Sequence, residues 1–210
     1  TFKSYLISMY GWSGTVNWSD SIPKNMSNAL LANKRLNIIY PNSIRRCCLL
    51  PVINEFAYNP NPLLRLMQSV YVRCGTYFPL ENLLTTASVE INPWPKQIEK
   101  FCIVPGNHSL RIIDLDLDQC HVLLKKGFDK NFILNEIVVR RQFPYLPIPK
   151  LIDSDEESGS YTEERIEALP WNRISDAKTK KTALNQAQGV LMRLYAETRQ
   201  VYQVYEWTER

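Results

Sequence analysis

Two residues in this 210-residue chain have the types and spacing to grip a phosphate: Lys125, at the end of an apolar run, and Glu136, about eleven residues later. A strand-end lysine offers a fixed positive charge to phosphate oxygens. A carboxylate on a following helix holds such a lysine in place by an ion pair. Upstream lies the turn Pro105-Gly106-Asn107-His108-Ser109. Gly106 has no side chain, so backbone N–H groups there can approach phosphate oxygens closely. Downstream, residues 161–166 read as a strand leading into a connector whose backbone can hydrogen-bond an adenine. The candidate phosphate site is therefore Gly106, Asn107, His108, Ser109 and Lys125, with Lys125 and Glu136 nearest to any chemistry.

Each of these residues has a plainer reading. Lys125 can be a solvated strand-end lysine beside Lys126, and strand alternation decides which of the two points inward. Glu136 can be a surface helix residue; an exposed pair would add little stability. His108 can be a hydrogen-bonded turn histidine. Asp114, Asp116 and Asp118 alternate like ligands for a hard cation, but the Gly and closing Glu of a calcium loop are not in place. A solvated hairpin edge is expected there. His121 beside Cys120 has no second ligand pair nearby, so no metal site is expected. The cysteines, Cys47, Cys48, Cys74, Cys102 and Cys120, are odd in number and contain no C-x-x-C pair. Reduced, mostly buried thiols in a cytoplasmic protein are expected. Lys34, Arg35, Arg45 and Arg46 read as ordinary basic surface.

Positioning the site requires an antiparallel sheet with a helix packed on it. Residues 101–104, 110–115 and 120–125 read as three strands, the last ending in Lys125. Residues 129–141 read as a helix, with Phe132, Ile133, Glu136, Ile137 and Arg140 on related faces, stopped by Pro144, Pro147 and Pro149. Two short strands, 150–153 and 161–166, flank an acidic tip rich in serine. Before these, residues 36–40 and 47–53 are strand-like, and 60–75 look helical, with Gly75 closing the C-terminus. Their strand–turn–strand order echoes residues 103–114. After them, residues 180–208 form one amphipathic helix of about seven turns, whose apolar stripe Leu184, Leu191, Leu194, Val201 and Tyr205 needs a partner. The expected class is α+β, mainly an antiparallel sheet with one packed helix. A small α+β region precedes it and a long C-terminal helix follows. The boundaries fall at 1–95, 96–178 and 179–210, with Asn92-Pro93-Trp94-Pro95-Lys96 as the first linker.

Composition is ordinary for a globular protein, 45% hydrophobic and 22% charged. A net charge of +4 is too small to argue for nucleic acid. No apolar run reaches the roughly 18 residues of a membrane span, and residues 1–11 lack a signal-peptide cleavage pattern. The chain begins at Thr1, which suggests a piece of something longer.

The ordered motifs resemble a known family. Val104-Pro105-Gly106-Asn107-His108-Ser109, Val122-Leu123-Leu124-Lys125-Lys126-Gly127-Phe128, Leu134-Asn135-Glu136 and Tyr161-Thr162-Glu163-Glu164-Arg165-Ile166 look like the small, N-terminal lobe of the protein-kinase-like phosphotransferases, in the aminoglycoside and choline kinase branch. The resemblance covers residues 101–173. It implies ATP as the nucleotide, with Lys125 on its phosphates, Glu136 as the helix partner, and Glu164 to Ile166 as a hinge beside adenine. The turn departs from the pattern in having one glycine. The family's H-x-D-x-x-x-x-N loop is also missing: the histidines are His108 and His121, and neither has Asp two residues on. The resemblance therefore implies that the catalytic base, the magnesium ligands and the acceptor site, for a small molecule or sugar, belong to a large lobe outside this chain. The chain alone is expected to be inactive. The competing expectation is a non-enzymatic interaction domain that recruits a protein partner or dimerises through its final helix.

Overall fold

The computed structural model describes residues 2–21, 29–34, 37–41, 61–76, 85–166 and 174–199. In chain order the elements are α1 (Phe2–Tyr10), β1 (Thr15–Ser19), β2 (Ala29–Asn33), β3 (Ile38–Pro41), α2 (Pro62–Thr76) and β4 (Ala87–Asn92). A short 3-10 turn, Lys96–Lys100, leads to β5 (Phe101–Pro105), β6 (Ser109–Asp114) and β7 (Gln119–Leu124). Then come α3 (Asn131–Gln142), β8 (Leu151–Asp155), β9 (Ser160–Glu164) and α4 (Ala177–Thr198). The class is α+β. Among the described residues, nine strands join one antiparallel sheet in the order β1-β4-β2-β3-β5-β6-β7-β9-β8.

The strands before residue 95 therefore extend the sheet that carries the candidate site. The join is β3 against β5, with Ile39 opposite Ile103, and residues up to 167 form one compact unit. The expected linker is a packed crossing: the Trp12 indole N–H donates to the Pro93 carbonyl at 2.8 Å. The expected strand at 47–53 and the adjacent Cys47 and Cys48 lie outside the described residues. In α2 the helix continues through Gly75 to Thr76, and Leu63, Leu66, Met67 and Val70 of its apolar stripe are exposed.

The sheet has two covered faces, and period two of the strands assigns residues to each. On one face Cys102, Ile113, Cys120, Val122 and Tyr161 pack with Ile133 and Ile137 of α3, and Leu31, Ile38 and Tyr40 extend that cluster into the N-terminal strands. On the other face Phe101, Ile103, Ile112 and Leu123 pack with Tyr5 and Leu6 of α1. β2 shows why both are needed: its residues Ala-Leu-Leu-Ala-Asn are buried at every position. A strand covered on both sides reads as a continuous apolar run rather than an alternation. Helix α3 starts where the Asp129 carboxylate accepts from the Asn131 N–H at 2.9 Å. Its last turn holds Arg140 and Arg141, whose charges complement the helix dipole. The second unit, from residue 168, contains α4, begun by the Asp176 carboxylate accepting from the Thr179 N–H at 2.7 Å.

His121 is 4% exposed on the α1 face. Its Nδ1 is 2.9 Å from Thr162 Oγ1, and the Tyr5 ring stands 5.4 Å away, centre to centre. Burial holds the imidazole below its ordinary pKa, with Asp114 opposing that shift. The unfolded chain therefore binds more protons as pH falls below the ordinary histidine value of about 6.5. The contribution of His121 is complete above that value and is lost on acidification. We expect the urea midpoint to fall between pH 7 and pH 5, and His121→Gln to flatten that fall. An equal slope in the variant would contradict the assignment.

Candidate nucleotide-binding site

The turn between β5 and β6 is a closed structure. The Gly106 N–H donates to the Ser109 carbonyl at 2.8 Å. A Cβ on Gly106 would stand only 3.2 Å from that carbonyl, so a small residue suits the position. The Lys125 backbone N–H donates to the His108 carbonyl at 2.9 Å, and the Lys125 amine donates to the Gly106 carbonyl. Asn37, at φ 53°, donates its side-chain amide to the Pro105 carbonyl at 2.5 Å. Three segments distant in sequence thus meet at Pro105 to Ser109. Ser109 is buried and Asn107 exposed.

Lys125 and Glu136 do not form the expected ion pair. The alternation of β7 explains this. Cys120, Val122 and Leu124 belong to the α3 face, whereas His121 and Leu123 belong to the α1 face. Backbone bonds from Leu124 N to Gly159 O and from Lys125 N to His108 O leave on opposite edges, so the extended backbone continues through Lys125. Lys125 therefore shares the parity of Leu123, away from α3.

Glu136 has other partners. The Tyr161 hydroxyl donates to its Oε2. Its Oε1 lies 3.8 Å from His108 Nε2, and its Oε2 lies 3.9 Å from the Arg140 guanidinium. The His108 ring also stacks on Phe132, with centres 4.7 Å apart and planes 22° from parallel. The turn histidine is thus held by two residues one helical turn apart on α3. Burial, then the bond to Glu136, raises the Tyr161 pKa well above that of an ordinary phenol.

Beneath this contact lies a charged pair that the sequence did not single out. Arg140 donates to Glu163 Oε2 at 2.8 Å, with their side chains 11% and 3% exposed. The guanidinium sits 4.8 Å from the Tyr161 ring centre, and Arg111 approaches the other Glu163 oxygen at 3.9 Å. Two signals for this pair were present in the sequence. Arg140 follows Glu136 by one turn of helix. Glu163 shares strand parity with Tyr161, whereas Glu164, the expected hinge residue, does not.

The other candidates are placed as follows. Glu164 joins β9 to Lys150: its N–H donates to the Lys150 carbonyl at 2.9 Å and its Oε1 accepts from the Lys150 N–H at 3.1 Å. Ile166 is 47% exposed, and residues 167–173 lie outside the described residues. Asp114 caps its own turn, accepting from the Asp116 and Leu117 N–H groups at 2.8 and 3.1 Å. Asp116 pairs with Lys100, and Asp118 with Arg165 at 3.0 Å. Cys102 and Cys120 are free and buried, and burial pushes both thiols up to about 12. They are unionised at neutral pH and poor nucleophiles.

His108 fastens the turn to α3 without contributing to either core cluster. We expect His108→Ala to change global stability by no more than about 1 kcal/mol, while speeding amide exchange at Asn107 and Ser109. Unchanged exchange at both would show that the ring does not restrain the turn. No protein-family model, no curated protein and no solved structure matches the chain.

Proposed function

We propose that residues 101–166 are the nucleotide-binding small lobe of a kinase-like phosphotransferase, with ATP as donor and a hydroxyl of a small molecule or sugar as acceptor. The observation that carries this reading is the Lys125 amine, which reaches the Gly106 carbonyl in the turn between β5 and β6. A phosphate anion is a stronger partner for an ammonium than a neutral carbonyl, so a nucleotide can compete for that amine. The turn lies where a three-strand meander, a helix and a returning hairpin follow in the order β5-β6-β7-α3-β8-β9.

In this reading Lys125 neutralises phosphate charge. Glu136 is a positioning residue that acts through His108 on the turn rather than through the lysine. Glu164 to Ile166 lie at the end of β9, where a connector would meet adenine. Magnesium ligands and the base that activates the acceptor hydroxyl would come from residues outside this chain, because neither His108 nor His121 has Asp two residues on and no H-x-D motif occurs. What the lobe contributes is orientation and charge neutralisation. A cytoplasmic location belongs to the same reading. Among the described residues, no helix is long and apolar enough to cross a membrane.

A second reading, a non-enzymatic interaction domain, is favoured by one observation. Leu184, Leu191 and Tyr195 of α4 are all more than half exposed, and α4 has no buried residue. A second copy of the chain or another helix would cover such a stripe.

Calorimetric titration with a non-hydrolysable ATP analogue separates the two. The nucleotide reading predicts binding to the wild type and at least about tenfold weaker binding to Lys125→Ala, a difference of about 1.4 kcal/mol. Equal affinities remove the basis for the site. No binding at all, together with a dimer in sedimentation, leaves the interaction reading in place.

A further inference from the structure

A cavity of about 590 Å³ opens on the sheet face covered by α1. It does not rest on the nucleotide reading: Lys125 lines one end of it, but the remaining lining includes neither His108 nor Glu136. Its floor is Leu123 and His121 of β7, with Thr162 beside them on β9. One wall is α1, where Ser4 and Ser8 lie one turn apart and flank Tyr5. The opposite rim is the β8–β9 hairpin, and the end is closed by the turn after β7, including Phe128. Such a volume accommodates a drug-sized or saccharide-sized molecule.

The lining has two chemical characters. Leu123 and Tyr5 are almost fully buried and present apolar and aromatic surface. Around them stand hydroxyls from separate elements: Ser4 and Ser8 on the helix, Ser160 and Thr162 on the strand. His121 adds a buried imidazole whose Nε2 has no hydrogen-bond partner among the described residues, an arrangement that costs stability unless a partner is supplied. Hydroxyls both donate and accept, so they match a ligand that does the same at several positions.

Charge decides against an anion. The Lys125 amine at the cavity end is bonded to the Gly106 carbonyl, so a phosphate competing for it would be drawn to the turn between β5 and β6. Lys126 shares the lining with the carboxylates of Asp153 and Asp155. Asp155 is held below the usual carboxylate range by the hydrogen bonds from Ser158, so it is charged at neutral pH. A phosphorylated ligand would meet about as much repulsion as attraction.

We propose that this cavity binds an uncharged, hydroxyl-rich ring of the saccharide class. One face of the ring packs on Tyr5 and Leu123, and its hydroxyls bond Ser4, Ser8, Ser160 and Thr162. Aromatic and aliphatic surface takes the C–H face of such a ring, while converging hydroxyls fix its orientation.

The test is titration of the full ¹⁵N-labelled chain with methyl β-D-glucopyranoside and, separately, with inorganic phosphate, followed at the Leu123, Thr162 and Ser8 amides. The expected result is saturable shifts at these amides with the glucoside and none with phosphate. Ser8→Trp, a replacement at an exposed position of α1, fills the opening and removes the shifts while leaving the melting temperature within a few degrees. Ser160→Ala weakens binding several-fold. Three results overturn the proposal: no saturable shift with the glucoside, an equal or larger response to phosphate, or glucoside binding unchanged in both variants.

Discussion

The buried contact between Arg140 and Glu163 is the constraint on which the candidate site depends. Both charges leave water, which costs several kcal/mol per ion. Only close geometry offsets that, and the 2.8 Å bond with Arg111 nearby supplies it. The result is directional in a way that Ile133 and Ile137 packing is not. Apolar contacts let a helix slide or rotate on a sheet; a guanidinium paired with one carboxylate fixes both its position along the axis and its rotation. From that fixed helix, Glu136 reaches Tyr161 and His108, and Phe132 stacks on the His108 ring. The turn is thus referenced to β9 through α3, although turn and strand lie on opposite sides of β7.

The second organising fact is that the sheet is one object. A nine-stranded sheet with helices on both faces needs central strands that are apolar on both sides, and β2 is such a strand. Its burial depends on clusters to which residues before 42 and after 100 both contribute. The Asn37 amide on the Pro105 carbonyl shows the consequence for the site: the N-terminal strands also restrain the turn. Alternation along β7 then separates two environments only one residue apart. Val122 contacts the α3 cluster, while His121 and Leu123 floor a cavity under α1. Lys125 follows the second parity, which is why its amine meets the turn rather than Glu136.

Much of this was legible in the sequence where pattern is local. The β5–β6–β7 meander, α3, the β8–β9 hairpin and α4 all follow from alternation, helical spacing and the prolines that stop them. β2 carries no such signal, because it is apolar from Ala29 to Ala32 and does not alternate. β4 does alternate, Ala87, Val89 and Ile91 against Ser88, Glu90 and Asn92, so its signal was present and was missed. Helix α1 carries Phe2, Tyr5 and Leu6 at helical spacing, but its short length also fits a bare apolar stretch. At the site, the residue types of Lys125, Glu136 and the Gly106 turn were readable, whereas their pairing was not. Which carboxylate meets which cation depends on strand parity across a sheet. That parity selects Glu163 over its neighbour Glu164, and it becomes readable along β9 only once Tyr161 is known to face α3.

A double-mutant cycle on Arg140→Met and Glu163→Leu tests the central claim most directly, with stability read from urea unfolding. Each single change strips a buried charge of its closest partner, leaving only a contact at 3.9 Å to Arg111 or Glu136, and is predicted to cost about 3 kcal/mol. The double change removes both charges, so its cost should fall below the sum of the singles by at least about 2 kcal/mol. Losses that simply add would contradict the account, because they would mean that α3 is held to the sheet by its apolar face alone.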